Sequence, residues 1–304
     1  MKISICITTY YRNNSLEKCI ESINRIKIKK NILMNIIVVD NTKNNNLLKI
    51  KKKLLKKSKY NILFLNEKKR GRVFARNKYL KKLKSINPNY ICLFDDDCVI
   101  DKNWLEQSMK TITNYNAQVV TGPQIYLKKS KVNRNTINYS QLFEQGYGNK
   151  IIYKAKWAAS NNVLIDYKII KKNNLLFDEN LNKFGVGEDQ LFFLKISKIG
   201  FKIYWNKNIK VYEKFHSERQ NFNWLIDRSY RLGVLGHYID QIQYGKFKGF
   251  FINYLKSVYY FNKFLISIIL IRKNYFEIIS NYFIRFFARL IGPFVFKNIN
   301  FYKK

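Results

Sequence analysis

Three carboxylates in a row, Asp95-Asp96-Asp97, close an apolar run that begins at Tyr90. Adjacent carboxylates repel one another and are costly to ionise together unless a cation or solvent compensates. Oxygen ligands of this kind suit a hard divalent ion, Mg2+ or Mn2+, held by one or two carboxylates with substrate phosphates completing the shell. Asp95 and Asp97 are separated by one residue, so on an extended strand their side chains share a face. By itself the triplet fits a metal site and a solvated acidic turn equally well. A second acidic pair, Glu188-Asp189, follows Gly187 where a helical pattern starts. A carboxylate there could accept a proton from a hydroxyl, and the helix N-terminus would favour its ionised form. Two plain first-turn helix acids are the alternative.

These residues depend on the elements that carry them. Apolar runs at 3–8, 32–39, 60–65 and 90–94 read as strands, and helical spacing is present at 15–26, 44–58 and 73–83. Strands alternating with helices predict an α/β fold, a Rossmann-like, mostly parallel mixed sheet with flanking helices. In such sheets ligands bind beyond the carboxyl ends of the strands. Thr9, Asp40 and the triplet all fall at such ends, so three polar sites converge on one edge. Further along, strands are predicted at 117–121, 157–165, 201–205 and 209–215, and helices at 187–199 and 222–232. A polar loop with short helical pieces is expected over 127–149.

From about residue 246 aromatic and branched apolar residues mix with Lys and Arg, and Glu277 is the sole acid. The predicted organisation is therefore a catalytic domain over 1–240 and a basic, aromatic-rich helical tail over 241–304. Its apolar runs, 264–271, 278–284 and 290–296, are interrupted by charge. None approaches the ~20 apolar residues a bilayer span needs. Amphipathic helices on an anionic membrane surface fit this pattern; a helical cap on the catalytic domain is the other reading.

The chain has 304 residues, 57 of them basic and 20 acidic, for a formal charge of +37. Such a field attracts polyanions, but abundant Lys, Asn, Ile, Tyr and Phe together also reflect AT-rich codons, so charge alone names no ligand. Apolar residues at 47% and aromatics at 16% exclude disorder as the main state. Cys6, Cys19, Cys92 and Cys98 form no C-x-x-C pair and there are two His, so free buried thiols are expected and a zinc site is not. No signal-peptide pattern opens the sequence, which leads to the expectation of a protein facing the cytoplasm, peripheral on the inner face of the membrane.

Taken in order, the motifs resemble glycosyltransferase family 2, the inverting group with the GT-A fold. Residues 5–13, ICITTYYRN, resemble its opening strand and nucleotide-binding loop; Asp40-Asn41 resembles its base-binding acid; and Gly71 with Ala75-Arg76-Asn77 resembles its next helix. The triplet matches its DxD motif, Gly187-Glu188-Asp189 its late acidic motif, and Arg228, Tyr230, Arg231 and Gly233 its R-x-Y-R-x-G segment. The resemblance runs from residue 3 to about 233. It implies that Thr9, Tyr10, Arg12, Asp40 and Arg76 contact the nucleotide, with Asp95 on the nucleotide side or at a metal-bound water. Asp96 belongs to the same set and is expected to be the least essential of the three. Asp97 is implied as the metal ligand, with Asp95 beside it and Glu213 and His216 as candidates for the third. Asp189 is implied as the base and Glu188 as a residue holding acceptor or donor sugar. Tyr11 stands where the family often has Asn, and Gln190 where another acid commonly follows.

The implied reaction is inverting transfer from a nucleotide-sugar, uridine-linked by resemblance, to a glycan or lipid-linked acceptor in cell-surface polysaccharide synthesis. Two other classes remain to be weighed. A nucleic-acid-binding protein would use the basic surface, but no zinc-finger or RRM signature is present and the basic residues are spread along the chain, so no nucleic acid is expected as a partner. A metal-dependent nucleotidyltransferase would normally show a Gly-rich or basic phosphate loop after the first strand, and Thr9-Tyr10-Tyr11 has no glycine.

Overall fold

The computed structural model describes residues 1–127, 151–214, 216–270 and 275–298. The expected loop at 127–149 lies almost wholly outside them. The described residues form two compact units. The first contains 1–127, 151–182 and 188–214; the second contains 183–187, 216–270 and 275–298.

The first unit opens with β1 (Lys2–Thr9), α1 (Asn13–Ile23), β2 (Leu33–Asp40), α2 (Lys51–Lys57), β3 (Asn61–Asn66), α3 (Arg72–Ile86) and β4 (Tyr90–Asp95). It continues with β5 (Cys98–Ile100), α4 (Trp104–Tyr115), β6 (Val119–Thr121), β7 (Gln124–Leu127), β8 (Ile152–Ala155) and β9 (Asn162–Asp166). α5 (Tyr167–Lys172), α6 (Glu188–Lys198), β10 (Ile203–Asn206) and β11 (Val211–Lys214) complete it. Eight strands make one sheet in the order β3-β2-β1-β4-β9-β6-β10-β8. β1 runs parallel to β2 and β4, β2 to β3, and β10 to β6, while β9 and β8 pair antiparallel with their neighbours. The expected mixed, mostly parallel sheet is what forms. A second sheet of three strands has the order β5-β11-β7.

Alternation along β1 divides the core between two faces. Ile3, Ile5 and Ile7 pack with Leu16, Cys19 and Ile20 of α1 and with Trp104 of α4. Cys6 faces the other way, with Tyr79, Leu80 and Leu83 of α3 and Phe192 and Phe193 of α6. Both faces are covered, which is why these strands read as unbroken apolar runs. All four cysteines are free and buried, as expected.

Several boundaries differ from the sequence reading, two of them within this unit by more than a few residues. The helix expected over 44–58 is a 3-10 turn at Asn46–Lys49 followed by the short α2. The Asp40 carboxylate accepts from the Thr42 and Leu47 amides, both at 2.9 Å, and pins that turn. The strand expected over 157–165 starts only at Asn162, and β8 precedes it as an edge strand too short to show a period.

The second unit is built on α7 (Phe222–Tyr244), α8 (Lys246–Ile269) and α9 (Tyr275–Val295). The composition change near 246 marks the start of α8, and a division at 240 falls inside α7. α7 belongs with the other two helices through close backbone approach. A Cβ on Gly233 would meet that of Ala288 at 2.5 Å, and one on Gly292 the Val234 carbonyl at 3.1 Å. The tail also contains what the sequence reading did not expect, because Arg285 and Arg289 divide its apolar runs. Phe276–Val295 is one continuous helical stretch of 20 residues, long and apolar enough to cross a membrane by length and composition, and 22% of it is buried. Arg289 does not interrupt the helix because it turns inward, onto Asp240 and Asn253.

Candidate functional site

Parallel pairing sets the site's frame. Thr9 lies opposite Asp40, and Thr8 opposite Asp95, so the three polar strand ends do share one edge. The link from β1 to α1 turns sharply there. Tyr11 takes a φ of 54°, a left-handed conformation uncommon for a non-glycine residue and costly to hold. Tyr10 and Tyr11 are both exposed, with ring centroids 4.7 Å apart.

That turn delivers Thr9 and Arg12 to the triplet. The Thr9 hydroxyl donates to Asp96 Oδ2 at 2.6 Å, and Arg12 Nη1 lies 2.6 Å from Asp97 Oδ2 and 3.3 Å from Asp96 Oδ1. Asp96, the member expected to matter least, is held between Thr9 and Arg12. It is buried, and burial pushes its carboxyl up to about 7 against the opposing pull of the Thr9 hydroxyl and Arg12. Asp96 thus links the β1 loop to the end of β4.

Asp40 is fully buried on its two amide bonds. Its neighbour Asn41, given no role from sequence, holds the loop before α3. Asn41 Nδ2 donates to the carbonyls of Glu67 and Lys69, and Asn41 Oδ1 accepts from the Gly71 amide at 2.7 Å. Gly71 has a φ of 135°, and a Cβ there would lie 1.9 Å from Asn182 Oδ1, so only glycine serves.

A second cluster joins residues 112 apart. Arg76 Nη1 donates to Glu188 Oε1 at 2.9 Å, Arg72 Nε approaches the same oxygen at 3.3 Å, and Arg76 Nη2 lies 3.5 Å from Asp95 Oδ1. Arg76 and Glu188 are both buried. Burial works against the Arg76 charge, and Glu188 and Asp95 overcome it, raising its pKa. Asp189, next along α6, keeps part of its surface open. Burial, then the adjacent Glu188, raises its pKa, with Arg76 and Arg72 opposing. The helix N-terminus was expected to favour its ionised form; desolvation and the neighbouring carboxylate outweigh that. Removing one partner of a buried ion pair strands the other. Arg76→Met is therefore expected to lower unfolding free energy by about 3 kcal/mol, read as a lower urea midpoint.

The third juxtaposition concerns Asp97. β5 pairs antiparallel with β11, placing Cys98 opposite Glu213. Asp97, one residue before Cys98, thereby comes beside Glu213, and their ligand oxygens lie within 4.8 Å of each other. The Asp97 side chain is 6% exposed and Glu213 is buried. His216 is three residues on from Glu213, at the start of the second unit. Arg12 offsets part of the charge on Asp97, and two nearly dry oxygen donors of this type at this separation suit Mg2+ or Mn2+. The residues present therefore fit such an ion.

Several further polar and aromatic residues have structural employment. Asn162 is buried, accepting from Trp104 Nε1 at 2.6 Å and donating to the carbonyls of Pro123 and Ile209. Asn161 donates to Gln124. Trp157 packs against the α3 face of the core, and Trp224 lies under the Arg228 guanidinium at 5.2 Å. In the basic loop, Lys69 sits 3.8 Å above the Phe74 ring and 3.6 Å from Glu179, and Arg70 lies 5.7 Å from the Tyr10 ring.

Known proteins resemble this chain in sequence and in fold. The chain is 27% identical over 219 residues to dolichyl N-acetyl-alpha-D-glucosaminyl phosphate 3-beta-D-2,3-diacetamido-2,3-dideoxy-beta-D-glucuronosyltransferase of Methanococcus voltae. That match covers 68% of this chain and 65% of the relative, slightly less than two thirds of its length. S. aureus TarS 1-349, solved in complex with UDP, is similar with a TM-score of 0.53 at 18% identity, over 81% of this chain and 70% of that one. The mannosyltransferase PcManGT from Pyrobaculum calidifontis, in complex with GDP-Man and Mn2+, has a TM-score of 0.55 at 13% identity, over 96% and 72%. These likenesses identify the fold as GT-A. Residues 4–172 match the model of glycosyl transferase family 2. That stretch is more than half of the 304 residues and contains the whole parallel edge from β1 to β4, so the chain belongs to glycosyl transferase family 2.

Proposed function

We propose that the protein moves a sugar from a nucleotide-sugar, a uridine diphosphate sugar, to a hydroxyl of a glycan or lipid-linked acceptor by one displacement with inversion, in cell-surface polysaccharide synthesis. The observation that carries this reading is the meeting of Asp97 and Glu213 at the sheet edge that also holds Thr9, Arg12 and Asp95. The relative's printed name, with a dolichyl-linked phosphate sugar as its acceptor, supports a lipid-linked acceptor. The UDP of TarS and the GDP-Man and Mn2+ of PcManGT support the donor class and the ion.

In this reading Asp97 and Glu213 would hold Mg2+ or Mn2+, with Asp95 beside them. When bound, the ion supplies electrostatic stabilisation of the leaving diphosphate. Arg12, paired with Asp96 and Asp97, is the cation this reading turns to the phosphates. Thr9, Tyr10 and Asp40 shape the nucleotide side, and Asp96 holds Thr9 and Arg12 in place. Arg76 and Glu188 fix the start of α6 and so position Asp189. An Asp189 carboxylate oxygen takes the acceptor's hydroxyl proton as the acceptor oxygen bonds to the anomeric carbon. The bond from that carbon to the diphosphate breaks, and its electron pair leaves with the nucleoside diphosphate. No protein nucleophile is required, hence inversion.

Release of nucleoside diphosphate from a panel of nucleotide-sugars, with Mn2+ and with Mg2+, tests this. Turnover of one uridine diphosphate sugar above the rest is expected. No turnover with any donor, or salt-dependent binding to arbitrary DNA at physiological salt, would favour the nucleic-acid reading instead. The same proposal places the protein on the inner face of the membrane, held to an anionic surface by its basic C-terminal helices.

A further inference from the structure

α8 is inverted relative to a helix of a soluble domain. α8 buries three residues, Gly249, Asn253 and Ser257, all small or polar and four apart. From Phe250 to Ile269 every exposed residue is apolar except Asn262. Phe251, Tyr254, Leu255, Val258, Leu265 and Ile269 belong to this outward face. A helix that hid its apolar side for solubility would do the reverse.

Polar side chains bond across the contacts that α8 makes with its neighbours. Asp240 accepts from Arg289 Nη1 at 2.9 Å and from Lys256 Nζ, and Arg289 Nη1 also donates to Asn253 Oδ1 at 2.7 Å. Asn253 Nδ2 donates back to the Arg289 carbonyl, Ser257 Oγ to the Phe286 carbonyl, and Ser229 Oγ to Asn281 Oδ1. Small residues at helix contacts, with polar side chains bonded across them, are how helices associate in lipid, where apolar surface gives no drive to pack. Two lysines fall within the stretch and both are only partly exposed: Lys256 turns to Asp240, and Lys263 lies 5.7 Å from the Tyr259 ring. Exposed Lys246 and Lys248 sit at the helix start. The stretch is 20 residues long, about 30 Å of helix, similar to the hydrocarbon thickness of a bilayer. α9 adds exposed Phe283, Phe287 and Phe294.

We infer that this face of α8, extended by α9, is immersed in the hydrocarbon of a lipid bilayer, so the protein is held by insertion and not by basic charge alone. The inference rests on the membrane placement proposed above and names what the contact is made of. Flotation of the full chain with vesicles separates the two. Binding to neutral phosphatidylcholine vesicles is expected, undiminished by about 1 M salt, where the screening length is ~3 Å. The exposed triple variant F251Q/L255Q/I269Q should lose about tenfold or more in neutral-vesicle partition with an unchanged far-ultraviolet spectrum. K246Q/K248Q should lower only the preference for anionic phosphatidylglycerol vesicles. Binding to anionic vesicles alone, released by salt, would overturn insertion and leave surface attachment standing. Absence of flotation with either lipid, including through a soluble dimer that covers the face, would overturn both. Unchanged flotation of the triple variant would overturn the assignment to α8.

Discussion

Asp97→Asn is expected to lower transfer by about 10³-fold, the scale set by removing one preorganised stabiliser of transition-state charge. Divalent binding should weaken in parallel, read as Mn2+ titration of the donor-free protein. The argument is local. Asp97 and Glu213 bring ligand oxygens within 4.8 Å of each other, and Asn in place of Asp97 replaces a charged oxygen donor by a neutral amide. The variant also loses the carboxylate that pairs with Arg12 at 2.6 Å, so Mn2+ affinity must be measured beside activity to separate the two effects. Wild-type Mn2+ affinity and turnover in the variant would remove Asp97 from the metal site. Asp96→Asn makes an informative contrast, because Asp96 faces Thr9 and Arg12.

Asp189→Asn is expected to bind donor normally and transfer at about 10²–10⁴-fold lower rate, the usual contribution of a positioned general base. Equilibrium binding of donor and single-turnover transfer make the comparison, and full activity in the variant would sink the role. A pH profile adds a readout that loss of structure would not mimic. The base must be ionised to act. Burial and Glu188 raise the Asp189 pKa, so the rising limb of kcat/KM should lie above the ordinary aspartate range near ~3.9. The sign for stability is opposite. A carboxyl with a raised folded-state pKa favours folding most below its unfolded value, and that contribution is lost as pH rises through the folded one. Weakening Glu188 by Glu188→Gln should shift the limb down, at a cost in stability from the stranded Arg76.

Much of the parallel edge was legible because apolar runs of strand length, separated by helical spacing, have few ways to pack. Runs ending on Thr9, Asp40 and Asp95 had to end on one side once the sheet was parallel, and β1, β2 and β4 are neighbours in register. Asp96 illustrates the limit. Within a triplet, sequence distinguishes members only by parity, and parity says nothing of which carboxylate a loop from elsewhere will meet. The turn at Tyr11 brings Thr9 and Arg12 to it.

Sequence alone determined the α/β class, the acids at the strand ends and the change of character near residue 246, since these follow from local period and composition. Tertiary structure decided the partners. Glu213 reaches Asp97 through the pairing of β11 with the three-residue β5, a strand too short to carry a pattern. Arg76 reaches Glu188 across 112 positions. Composition also showed that the last helices mix apolar and basic residues, but not which side faces inward. That was settled by close approach at Gly233, Gly249 and Gly292 and by the buried Asp240–Arg289 pair. A helix's inner face is whichever one its neighbours can satisfy, and spacing along one chain does not contain the neighbours.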